Sequence, residues 1–192
     1  MNKIIQDHFN EIKKILKNDE EIIKKTNIIS KIIIKSIKNN KKIFVCGNGG
    51  SFADASHFVG ELTATYSSIK RKPLPFILLG SNLASVTAWS NDFNFEDYLR
   101  REFKALSSKG DILFILSTSG RNIKSRQSIN LIKLAKFAKA KNNIIISLVG
   151  NDGGELKKIS NFTLVVNSNK TGSIQEVHKI IFHSLCETFE KI

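Results

Sequence analysis

Cysteine and proline are nearly absent from this chain, two of each in 192 residues. Two cysteines cannot build a disulfide scaffold. Cys46 closes an apolar run and Cys186 sits in a helical stretch, so both read as buried thiols rather than as a bridge. The prolines, Pro73 and Pro75, fall together, which excludes a proline-rich linker, and there is no internal repeat. No apolar run approaches the roughly 20 residues that span a bilayer. Residues 1–18 mix lysine with acidic residues and lack a signal-peptide core, so no membrane role and a cytoplasmic location are expected. A dense basic block is also missing. The net charge is +13, from 30 Lys+Arg against 17 Asp+Glu, but the lysines are interleaved with isoleucine and asparagine and no aromatic-basic motif occurs. That argues against specific nucleic-acid binding and for steering of an anionic substrate.

What is present is an ordered alternation. Over residues 2–38 apolar side chains recur at helical spacing: Ile5, Phe9, Ile12, Leu16, then Ile22, Ile29, Ile33 and Ile37. This predicts two helices or one broken helix, with Asn18-Asp19 as junction and N-cap. Residues 1–40 form an N-terminal helical extension on this reading, and residues 41–192 the main domain. Short apolar runs follow at 42–46, 75–79, 111–116, 143–149 and 162–166. Helical patterns lie at 52–66, 82–88, 94–107, 123–142, 154–159 and 173–191. Continuous apolar strands separated by helices predict an α/β fold whose five-stranded parallel sheet is flanked by helices.

Two strand-to-helix loops draw attention. The first reads Cys46-Gly47-Asn48-Gly49-Gly50-Ser51. Its glycines let backbone N–H groups approach an anion, and Ser51 can donate to a phosphate or cap the helix. It is neither a Walker A loop nor a dinucleotide fingerprint, and a plain tight turn is the alternative. The second reads Ser117-Thr118-Ser119-Gly120-Arg121-Asn122. Three consecutive hydroxyls before a helix suit a phosphate, or else form an N-cap cluster. Two such loops at the carboxyl ends of strands favour a ligand site, because open α/β sheets bind there.

The ionisable residues add chemistry. His57 and Glu61 stand four apart on one helix face. Gln175, His178 and His183 share a later helix, Gln175 and His183 two turns apart. Two imidazoles, a carboxylate and an amide could hold a divalent metal, or serve as acid and base. His8 and His178 read as ordinary core or surface histidines. Asn91-Asp92 could bind sugar hydroxyls or form an Asx turn.

Taken together these pieces resemble the sugar isomerase (SIS) domain, and within it the phosphoheptose isomerases. The resemblance is carried by 46–51, Asp54-Ala55, His57-Phe58, Glu61-Leu62-Thr63, 90–93, 117–120, Gly150 with 152–154, 174–176, His178 and His183. It implies a homotetramer with active sites between subunits and one Zn²⁺ per subunit at His57, Glu61, Gln175 and His183. It implies Glu61 and His183 as base and acid. It places Asn48, Gly49, Gly50, Ser51, Glu61, Asn91, Asp92, Ser117, Thr118, Ser119, Asn122 and Gln175 at substrate-binding positions. The implied reaction interconverts sedoheptulose 7-phosphate and D-glycero-D-manno-heptose 7-phosphate through an enediol(ate), the first step toward nucleotide-activated heptose for lipopolysaccharide or capsule. Thr65, Asn122 and Ser173 depart from the family pattern, the first and last where arginines are common. Lys70, Arg71 and Arg121 are the cations available to compensate. Two other readings are carried: a non-catalytic SIS tetramer that binds the replication initiator, and an isomerase or sensor for another sugar phosphate. The initiator-binding relative lacks the Glu and the final His, both present here as Glu61 and His183.

Overall fold

Period-two alternation in the strands decides which layer each side chain joins. A computed structural model describes residues 2–17, 19–120 and 127–192. Its strands β1 (Ile43–Cys46), β2 (Phe76–Leu78), β3 (Ile112–Ser117), β4 (Ile144–Gly150) and β5 (Phe162–Val166) form one sheet, all parallel, in the order β2-β1-β3-β4-β5. Ile43, Val45, Ile112, Phe114, Leu116, Ile146 and Leu148 point to one face. Phe44, Cys46, Leu113, Ile115, Ile145 and Val149 point to the other. Both faces are therefore apolar, as a parallel sheet covered on both sides requires.

The first face is covered by α2 (Glu20–Lys38), α3 (Gly50–Thr63) and α8 (Thr171–Phe189). The second is covered by α5 (Tyr98–Leu106), α6 (Ile129–Ala140) and α7 (Gly154–Ile159). Helix α1 (Lys3–Leu16) buries no residue, and α4 (Leu83–Asp92) leads through a short 3₁₀ turn, Phe95–Asp97, into α5. No helix among the described residues is long and apolar enough to cross a membrane. Cys46 and Cys186 are both free and buried, on opposite faces of the sheet.

Some boundaries differ from the sequence reading. Asp19 does precede α2, but its side chain makes no capping hydrogen bond. Helix α3 begins at Gly50 and ends at Thr63, earlier than the 52–66 pattern, because the backbone leaves helical geometry at Ala64. The pattern over 123–142 resolves into α6 from Ile129, and residues 123–126 lie outside the described residues.

The order β2-β1-β3 makes the chain reverse direction between β1 and β3. Parallel sheets bind ligands at that switch point, beyond the strands' carboxyl ends. The loops after β1 and β3 are the two singled out from sequence.

Candidate active site

A cavity of about 510 Å³ opens at the switch point. Asn48, Gly49 and Ser51 reach it from the first loop, and Ser117, Thr118 and Ser119 from the second. Three helices start at its rim: α3 after Gly49, α6 after Gln127 and Ser128, and α8 beside Asn169 and Thr171. First-turn N–H groups lack intrahelical partners and carry the positive end of the helix dipole, so three such ends favour an anion. Among the described lining residues no side chain carries a formal charge. Among the described residues, neutral donors and helix ends line the cavity.

Local geometry follows from the residue types. Gly49 has φ +54°, which L side chains rarely adopt, and this lets the loop turn directly into α3. Asn48 faces Asn130 of α6 in a reciprocal carboxamide pair, each donating to the other at 2.9 and 2.8 Å. Asn130 is buried, so the pair locks the first loop to the helix behind the second. The Ser117 hydroxyl accepts from the Gly120 N–H at 3.2 Å and shapes the second loop. Ser128 lies in the left-handed region at φ +59° before α6, and its side chain does not cap that helix.

The ionisable cluster lies off the cavity, along the interface of α3 and α8. These helices run side by side in matched order. Gly50 abuts Gln175, Asp54 reaches Lys179 at 3.4 Å, and the Phe58 and Phe182 rings lie 5.4 Å apart. A Cβ on Gly50 would overlap Nε2 of Gln175, so glycine is what admits that amide to the start of α3. Further along, Nε2 of His57 hydrogen-bonds Oε1 of Glu61 at 2.9 Å. The His183 ring packs edge-on against His57 at 5.1 Å, and the Tyr66 ring lies 6.0 Å from it. His57, Glu61, Gln175 and His183 are thus ordered along one helix pair, and none of them lines the cavity.

The donor types of that cluster suit Zn²⁺. As folded, His57 and Glu61 are hydrogen-bonded to each other, and among the described residues no three His, Cys, Asp or Glu side chains are grouped to hold a metal.

The remaining sequence candidates fall elsewhere. Asn91 and Asp92 are exposed at the end of α4, where the Asn91 amide donates to Asp92 at 3.0 Å. Phe95, just beyond, lines the cavity instead. Asn122 and Arg121 lie outside the described residues. Thr65 is exposed, and Ser173 is fully buried with an unpartnered hydroxyl. Arg71 does not compensate for the missing arginines. Its side chain is buried and paired with Glu190, so it is not available to a substrate anion. His178 is also buried, both ring nitrogens without a hydrogen-bond partner. Sequence reasoning missed Gln127, Ser128, Asn130, Asn151, Asn169 and Thr171. The signal available was a third strand-to-helix turn before α8, and Ser128 with Asn130 at the start of α6.

The chain is thus a doubly wound α/β domain with a cavity rimmed by helix N-termini at its switch point and a His–Glu cluster on a helix leaving that cavity. The sequence profile of the SIS domain matches residues 7–150. A phosphoheptose isomerase of Helicobacter hepaticus is 39% identical over 193 residues, 99% of this chain and 93% of its own length. One from Crocosphaera subtropica is 41% identical over 159 residues, 83% and 78% of the two chains. The structure of phosphoheptose isomerase GmhA from Neisseria gonorrhoeae superposes with a TM-score of 0.87 at 30% identity, covering 99% of this chain and 98% of that one. The chain belongs to the SIS domain family and, within it, to the phosphoheptose isomerases.

Proposed function

We propose that this chain interconverts sedoheptulose 7-phosphate and D-glycero-D-manno-heptose 7-phosphate by aldose–ketose isomerisation. The observation that carries the reading is that one helix, α3, starts at the cavity and carries Glu61 hydrogen-bonded to His57, whose ring packs on His183. The phosphate end rests on neutral donors and helix N-termini, which positions the distant carbonyl end. The Glu61 carboxylate takes a proton from C1 of the ketose. The C–H electrons form the C1–C2 double bond, and O2 becomes an enediolate oxygen. His183 passes the O1 proton to O2, Glu61 returns its proton to C2, and C1 becomes the aldehyde.

Zn²⁺ belongs to the same proposal, held by His57, Glu61, Gln175 and His183. When bound, it would supply Lewis-acid polarisation of the carbonyl oxygen. So does a homotetramer with sites between subunits, acting in the cytoplasm. Exposed Ile4, Ile5 and Phe9 on α1, and a His57 side chain 46% exposed, are consistent with cover from another copy. The initiator-binding reading is not favoured, because Glu61 and His183 are both present and the relatives are named as isomerases.

The test is direct turnover of sedoheptulose 7-phosphate, with and without a chelator, at a protein mass measured by light scattering. Conversion to the aldose supports the reading, and loss of conversion with chelator supports the metal. Absence of conversion with metal supplied contradicts the reading.

A further inference from the structure

The segment after α3 carries an arginine whose guanidinium is wholly withdrawn from solvent. The Arg71 side chain is 0% exposed. Its Nε donates to Oε1 of Glu190 at 2.7 Å. One terminal nitrogen donates to the carbonyls of Leu62 at 3.0 Å and Lys72 at 2.8 Å. The other donates to the carbonyls of Glu61 at 2.8 Å and Ala64 at 3.5 Å. Glu61 and Leu62 belong to the last turn of α3, whose carbonyls have no partner within the helix. A cation there satisfies them and complements the negative end of the dipole.

The carboxylate at the other end of this bridge belongs to α8. Glu190 directly follows that helix, and it also accepts from the Ser67 hydroxyl and the Ser68 N–H, both at 2.9 Å. Burial alone would raise the Glu190 carboxyl, but the hydrogen bonds from Arg71 and Ser67 outweigh it and hold it below the usual range.

We propose that Arg71 is a positioning residue: by gripping the backbone of Glu61 and the carboxylate of Glu190 together, it sets the register of α3 against α8 and so the spacing of His57 and Glu61 from His183. Between these helices the contacts near His57 are ring packing, Phe58 on Phe182 and His57 on Phe182. The free energy of apolar burial is non-directional, so it sets a sliding coordinate less sharply than hydrogen bonds of fixed geometry do. The directional contacts are the Asp54–Lys179 ion pair, half exposed at Lys179, and, at the far end, Arg71, buried and hydrogen-bonded on both sides. Only a planar, many-donor fork can serve the helix carbonyls and a carboxylate at once. Lysine, a point charge with three donors, cannot.

The consequence for turnover rests on His57, Glu61 and His183 being the acid–base centre proposed for this chain. The test compares wild type with Arg71→Lys and Glu190→Gln, reading kcat and KM per folded enzyme and the ring NMR resonances of the histidines. Arg71→Lys is expected to lower kcat about tenfold or more with KM within about threefold, since small misplacements of reacting groups are costly. His57 and His183 resonances shift while that of His8 stays. Glu190→Gln is expected to lose about threefold in kcat, consistent with one weakened charge-assisted hydrogen bond. If Arg71→Lys does not fold, Glu190→Gln decides. Folded variants with wild-type kcat and unshifted His57 and His183 resonances overturn the assignment, even where melting temperature falls. A wild type that does not turn over the sugar phosphate removes the acid–base reading alone, and the resonance shifts still test the clamp.

Discussion

The carboxamides of Asn48 and Asn130 are paired head to head, 2.9 and 2.8 Å apart, across 82 residues of sequence. This ties the first anion loop to the helix that opens beyond the second. Asn48 was read from sequence as a substrate contact. In the fold it lines the cavity, and its pairing with Asn130 holds the loop in place.

Asn130→Ala removes both hydrogen bonds and leaves the half-buried Asn48 amide to the cavity, a loss of about 1–2 kcal/mol in stability. KM for the sugar phosphate rises about tenfold, because a loosened loop loses about 1.4 kcal/mol of binding. Thermal unfolding and steady-state kinetics together check this. An unchanged KM in the folded variant counts against the clamp.

Glu61→Gln keeps the shape of the cluster and removes the base. The expected loss in kcat is about 10²- to 10⁴-fold, with the melting temperature close to wild type. Activity near wild type would remove Glu61 from the proton-transfer role.

Gly50→Ala displaces only the far end of a flexible side chain, the Gln175 amide, and alanine is the better helix former. Stability is expected to hold or rise slightly while kcat falls. The double variant Gly50→Ala/Gln175→Ala should be no worse than Gln175→Ala alone, since both act through one amide. Additive losses in that cycle would show that Gly50 acts separately.

His178 makes folding pH-dependent. Burial pushes its pKa from 6.5 down to about 4, against a smaller opposing pull from the Val149 backbone. Between those values the unfolded chain binds the proton and the folded chain does not. Stability from this residue is therefore complete above pH about 6.5 and is lost as pH falls toward about 4, by about 3 kcal/mol at most. His178→Leu removes the titrating ring and, with it, only the weak Val149 backbone interaction. Melting temperatures from pH 7.5 to 4.5 should fall less steeply in that variant. Parallel slopes would mean that other groups govern the acid limb.

The five strands were legible because each is a short apolar run bounded by turn residues, and burial on both faces demands that pattern. The two anion loops were legible for the same reason, as glycine- or hydroxyl-rich breaks after such runs. Ser128, Asn151, Asn169 and Thr171 were not, since each is a single neutral polar residue that only the sheet topology brings to the cavity. Arg71 was misjudged as a free cation because sequence spacing does not reveal that Glu190, 119 residues away, closes over it. The division between cavity and cluster was partly foreseen. His57 and Glu61 were separated from the phosphate loops by role, and the fold separates them by place.

Solvent-exchange NMR tests the central claim most directly. Sedoheptulose 7-phosphate is incubated in D₂O with wild type and with Glu61→Gln. An enediolate route with Glu61 as base predicts, for wild type, the aldose signal together with deuterium at C1 of the ketose or C2 of the aldose, and neither for the variant over the same period. Conversion or exchange by Glu61→Gln at the wild-type rate, or an inert wild type with Zn²⁺ supplied, contradicts it.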